Sequence, residues 1–145
     1  MRSKVFYIRA TAQDGADLLS RKARAAYLAL DLNDRLEKDD FVALKIHFGD
    51  KNNKGHVKPE WLRHIIFEIQ KRTPRAFLTD SNTLYVGPRS NSVEHIKLAW
   101  SHGFTPNVVD VPVIIADGLI GRDKHTGRGA QARVESPKVG AAFQD

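Results

Sequence analysis

Three short segments hold the side chains that can do chemistry. The first, LKIHFGDKNNKGHVKP at 44–59, sets Lys45 and His47 two positions apart in an alternating apolar run, so an extended chain points both to one face. Gly49, Asp50 and a loop rich in Lys and Asn follow, with His56 inside it. A histidine at a strand end serves either as a structural hydrogen-bonder or as a ligand contact. The second segment, TDSNTLYVGPRSN at 79–91, follows Asp80 with Ser81, Asn82, Thr83, Tyr85, Arg89, Ser90 and Asn91 in one connection. Hydroxyl, amide and guanidinium groups beside the free N–H groups of a helix start suit a phosphate or carboxylate. The same residues also make an Asx-type turn and an N-cap, with Arg89 in solvent. The third segment, IIADGLIGRD at 114–123, offers Asp117, which can accept from a ligand hydroxyl or help to hold a hard cation.

Much chemistry is excluded. The chain has no cysteine, which removes disulfides, thiol nucleophiles, Cys-type zinc sites and Cys-held iron–sulfur clusters. There is no GxxxxGK[ST] phosphate loop and no GxGxxG dinucleotide fingerprint. Ser81 and Ser90 lack the nucleophile-elbow frame, and no HExxH is present. His47 and His56 across a loop are no specific metal signature, and Asp50, Asp80 and Asp117 at three strand ends are common in plain α/β domains, so no metal is assigned.

The elements that must position these groups follow from periodicity. KVFYIRA (4–10) reads as a first strand, and DGADLLSRKARAAYLALDL (14–32) as a helix. DFVALKIHF (40–48) is a second strand. Pro59 opens a helix whose stripe is Trp61, Leu62, Ile65, Ile66 and Ile69. RAFLTD (75–80) is the third strand. Asn91 with Glu94 forms a capping box for a helix through Trp100, which Gly103 ends in a left-handed cap. NVVDVPVIIAD (107–117) is strand material interrupted by Pro112. The order β-α-β-α-β-α-β predicts an α/β fold, a three-layer sandwich with a mainly parallel sheet. In such sheets ligands gather outside the carboxyl ends of the strands, where all three segments fall.

Residues 1–120 form the expected α/β core. Residues 121–145 are a polar tail or weak hairpin (ARVESPKV, 132–139), closing in VGAAFQD, which reads as the start of a helix and of a truncated continuation. The expected sheet is therefore incomplete.

The chain of 145 residues is 41% hydrophobic and 28% charged, enough for one core. Its net charge of +6 attracts anions, nucleic acid included, or simply solvates the surface. No apolar run is long enough to span a bilayer and the N-terminus has no secretory apolar stretch, so no membrane association and a cytoplasmic location are expected.

VALKIHFGD, FLTDSNTLYVGPRSN with the following VEHIKLAWSHGF, and VIIADGLIGRD together resemble the prokaryotic domain-of-unknown-function family 362. The resemblance runs from about Lys4 to Asp145 and is most specific in LTDSNTLYVGPRSN. Members of that family are described as iron–sulfur cluster-binding or ferredoxin-like proteins, and the chain resembles only the N-terminal part of the longer ones. Those continue into an HFKGH-like motif, a Gly-rich loop and often a ferredoxin module with four-iron–four-sulfur clusters. The resemblance implies a ligand-binding set of Lys45, His47, Asp80, Asn82, Thr83, Arg89 and Asp117. It implies an α/β domain of an iron–sulfur-associated redox protein that binds a small anionic ligand, with no cofactor held by this chain. Self-association or a partner chain would supply the missing half. The competing readings are a non-catalytic nucleotide- or nucleic-acid-binding module and a truncated remnant without activity.

Overall fold

The computed structural model describes residues 4–126 and 138–143. At its centre are three parallel strands, β1 (Val42–Lys45), β2 (Ala76–Asp80) and β3 (Val113–Ile115), in the order β1-β2-β3. The register sets Leu44 opposite Leu78 and Asp80 opposite Ile115. The middle strand, AFLTD, is buried along its whole length because it has a neighbour on both edges. Parallel neighbours cannot be joined by a tight turn and need crossovers. The chain is accordingly an α/β fold, as the alternation of strand and helix patterns predicts.

The first crossover runs through a 3-10 turn, Pro59–Leu62, into α2 (Arg63–Gln70). Pro59 begins that turn, where a missing N–H costs nothing. Ile66 and Ile69 of α2 are buried with Phe48, Leu78, Ala99 and Phe104 in the core; each Ile, Leu or Phe among them contributes about 1.5–3 kcal/mol by leaving water. The second crossover contains α3 (Ser92–Ser101). Asn91 caps it by accepting from the Glu94 N–H at 3.0 Å, while the Glu94 side chain pairs with Lys97 instead of closing the capping box. Its buried face is Ser92, His95, Leu98 and Ala99. Gly103 stops the helix at φ +89°.

Two expected strands are corrected. Within 107–117 only Val113–Ile115 is strand, because Pro106 starts a one-turn helix, α4 (Pro106–Val109), which ends on left-handed Asp110. Pro112 has no N–H to give, but its carbonyl accepts from the Leu78 N–H at 2.9 Å and leads the chain into the ladder. The segment 4–10 pairs with no strand among the described residues; Val5 and Tyr7 are exposed. Ile8 and Ala10 line a hollow with Leu19 and Ala23 of α1 (Ala16–Leu28), and Lys22 Nζ donates to the Arg9 carbonyl at 2.8 Å. Its β-branched and aromatic content expresses a fit to a pleated, half-buried surface, and no sheet edge receives it.

The tail returns to the core. β4 (Lys124–Thr126) and β5 (Lys138–Gly140) pair antiparallel. Most of the ARVESPKV hairpin, residues 132–137, lies outside the described residues. Gly140 is buried against Ala116 so closely that a Cβ would sit 2.8 Å from the Ala116 backbone, and the Ala142 N–H donates to the Ala116 carbonyl at 3.1 Å. Residues Ala141–Phe143 form a 3-10 turn.

Candidate functional site

Asp80 ends the central strand with 3% of its surface exposed. The connection that follows folds back on itself: the Thr83 N–H donates to the Arg89 carbonyl at 2.8 Å. That closure turns Arg89 inward, so its guanidinium is buried and not in solvent. Arg89 Nη2 donates to Asp80 Oδ2 at 3.1 Å, Nε reaches His95 Nε2 at 3.3 Å, and Nη1 lies 2.7 Å from His47 Nε2. Lys45 Nζ takes the other Asp80 oxygen at 2.8 Å while its side chain stays more than half exposed. The Tyr85 hydroxyl donates to Asp50 Oδ2 at 3.0 Å, which lies 4.0 Å from Arg89 Nη1. The segment after β1, the end of β2, the 81–91 connection and α3 thus meet on one guanidinium.

Burial by itself would raise the Asp80 carboxyl. The His95 imidazole, the Lys45 ammonium and the Ser81 N–H outweigh it and hold the carboxyl well below the usual carboxylate range. Asp50 is also lowered, first by the Lys51 N–H that donates to it and then by the Tyr85 hydroxyl. Both aspartates are therefore anions, matched by Lys45 and Arg89.

His47 is exposed at the end of this network. The Gly49 N–H points at its Nδ1 at 3.0 Å, and Arg89 Nη1 points at its Nε2. A neutral imidazole has one acceptor nitrogen and one N–H. Two donors therefore compete for a single lone pair; when the Gly49 N–H holds it, Arg89 Nη1 is left with the Tyr85 hydroxyl at 3.5 Å as its neutral acceptor.

The seven expected site residues divide. Lys45, His47, Asp80 and Arg89 share this network. Asn82 and Asp117 form another: the Asn82 N–H donates to both Asp117 oxygens at 3.0 and 3.1 Å. Asn82 Nδ2 also reaches Asp117 Oδ1, the Gly118 carbonyl and Ser92 Oγ. Asp117 is buried there, with Gly121 packed over it. It ties the loop after β3 to the loop after β2. Thr83 Oγ1 donates to the Tyr85 carbonyl at 3.1 Å and shapes the loop. His47 and Asp80 thus fall in one network and Asp117 in the adjoining one.

The sequence reading missed His95, which is fully buried, with Nδ1 lacking a hydrogen-bond partner. Its signal was a histidine on the apolar stripe of α3, in step with Ser92 and Leu98.

A family model, Domain of unknown function (DUF362), matches residues 42–145, from the first residue of β1 onward. No curated protein and no solved structure matches the chain.

Proposed function

The chain belongs to the DUF362 family, and from that premise we propose that the lip at the carboxyl ends of β1 and β2 binds a small anionic molecule. The observation that carries this is the surplus donor at His47: Gly49 N–H and Arg89 Nη1 face one ring that can accept from only one of them. A ligand carboxylate or phosphate oxygen supplies a charged acceptor in place of the long contact from Arg89 Nη1 to the Tyr85 hydroxyl at 3.5 Å. Lys45, exposed and two residues away, adds an ammonium with donors to spare beyond Asp80. The buried Asp80–Arg89–His95 set keeps these groups in place before any ligand arrives, which lowers the cost of binding.

The resemblance to iron–sulfur proteins adds a redox association, and the residues of this chain do not fit a cluster. It has no cysteine, and among the described residues no group of three His, Asp or Glu is placed to hold a metal ion. In this reading an electron carrier, where there is one, belongs to a partner or to longer relatives.

Calorimetric titration with malonate tests the lip. One saturable site is expected, with the His47 ring resonances moving on binding. Lys45→Gln should weaken it about tenfold, the worth of one charge-assisted hydrogen bond. If Lys45→Gln and His47→Ala both take up malonate as the unaltered chain does, the lip is a structural ion cluster.

A further inference from the structure

A cavity of about 580 Å³ lies between the 51–60 loop and the C-terminal end of α3. Its size falls in the range of small-molecule sites. The loop reads KNNKGHVK over 51–58, and Lys51, Lys54, His56, Lys58 and His102 all line the cavity, against Glu60 as its single acid. None of their side chains bonds to the network around Asp80; Lys51 touches it through its backbone N–H, which donates to Asp50.

Lys58 is the informative group. Its ammonium donates to the Lys54 carbonyl at 2.8 Å and reaches His56 Nε2 at 3.3 Å. Both partners are neutral acceptors. Among the described residues no carboxylate pairs with it, so its charge is uncompensated and one donor remains free. The acceptor role of His56 is set from its other nitrogen, since Nδ1 lies 2.8 Å from the Asn53 carbonyl and must carry the proton. His102 is oriented in the same way, with Nδ1 at 2.8 Å from the Phe48 carbonyl.

The two imidazoles stack with centroids 4.3 Å apart and planes at 13°. They lie on Gly49, whose φ is +95° and where a Cβ would come within 2.7 Å of His102 Nδ1. Glycine is what permits the stack. Pro59 and Leu98 supply apolar wall. A rigid imidazole pair, an uncompensated ammonium and two further lysines around one hollow are the parts of an anion receptor. Lysine serves phosphate as a point charge, and the volume leaves room beyond a phosphate for an organic remainder.

We propose that this cavity binds the phosphate group of a small phosphorylated molecule. The inference is independent of the lip, because the side chains it uses are other ones.

Pyrophosphate is the probe, titrated into the whole chain at physiological salt and followed through the histidine ring resonances. His56 and His102 should shift together and saturate at one equivalent, with His64 unmoved. Lys58→Met should weaken binding about tenfold, as loss of one charge-assisted contact does, and Lys45→Gln should change it less than about twofold. Glu60→Gln, which removes the opposing charge without touching the stack, should tighten it. The proposal is overturned if Lys58→Met binds like the unaltered chain, if Glu60→Gln weakens binding, or if the shifts are non-saturating and spread over all six histidines.

Discussion

Arg89 is a cation with its side chain 8% exposed and with Asp80, His95 and His47 around it. Removing one member of a buried ion pair costs more than the pair is worth, because the other charge stays behind in low dielectric. Arg89→Met should lower unfolding free energy by about 3 kcal/mol, read from urea midpoints. Arg89→Lys should recover little of it, since an ammonium cannot reach three partners as a planar fork does; full recovery would show that charge alone matters. The same site sets an acid limit. Asp80 is lowered in the folded chain, so the stability it contributes is present above the unfolded carboxyl value of about 4 and is lost progressively as pH falls below it. Asp50 and Glu68 are shifted in the same direction. Urea midpoints should hold steady from about pH 6 to pH 5 and decline below about pH 4. A midpoint that rises on acidification would contradict this account of Asp80.

At the scale of elements, α1 is tied to α2 by the Arg24–Glu68 ion pair at 2.7 Å and by a hydroxyl. Ser20 is 1% exposed; its Oγ accepts from the His64 N–H at 3.2 Å and lies 2.8 Å from His64 Nδ1. Asp17 sits 4.0 Å from the other His64 nitrogen, which gives the outline of a Ser-His-Asp set. The chemistry is different. Ser20 is sealed from solvent and serves as an N-cap delivered from another helix, since Leu62 gives α2 no side-chain cap of its own. Ser20→Ala should cost about 1 kcal/mol, the usual loss of a cap, and leave malonate and pyrophosphate binding unchanged. Unaltered thermal stability in that variant would mean that the first-turn N–H is satisfied otherwise. The cap also explains how a helix outside the family match is integrated with the matched residues.

For the whole molecule, the described sheet pairs β1 and β3 on one edge each. Such edges present unpaired N–H and C=O groups. Beside β1 lies an apolar hollow of about 420 Å³ lined by Tyr27, Leu32, Leu36, Val42, Leu44 and Ile65, and Ile114 of β3 is 41% exposed. Self-association through these edges is the expected outcome. The charge of +6 opposes it at low ionic strength, so sedimentation velocity should show more dimer as salt and protein concentration rise. A strictly monomeric species at high concentration and high salt would sink the idea. No helix among the described residues is long and apolar enough to cross a membrane.

What could be read along the chain was what local chemistry controls. Pro59 at a turn start, Asn91 at a cap and Gly103 at a left-handed stop each act on their own few residues, and all three stand where their side chains predict. The strands at 42–45 and 76–80 were legible too, because burial on a sheet leaves a short apolar run in the sequence. The polar lip was legible as a set of residue types after strand ends. Its wiring was not. Whether Arg89 faces solvent or Asp80 depends on a loop closure with Thr83, and whether His95 is core or site depends on which strand end α3 packs beside. Asp117 and Asp80 look alike in sequence, each an aspartate ending a strand. Asn82 takes one and Arg89 the other, across 35 and 9 residues of chain. The segment 4–10 failed for the same reason: a strand is completed by a neighbour, and no pattern within seven residues says whether an edge is free to receive it.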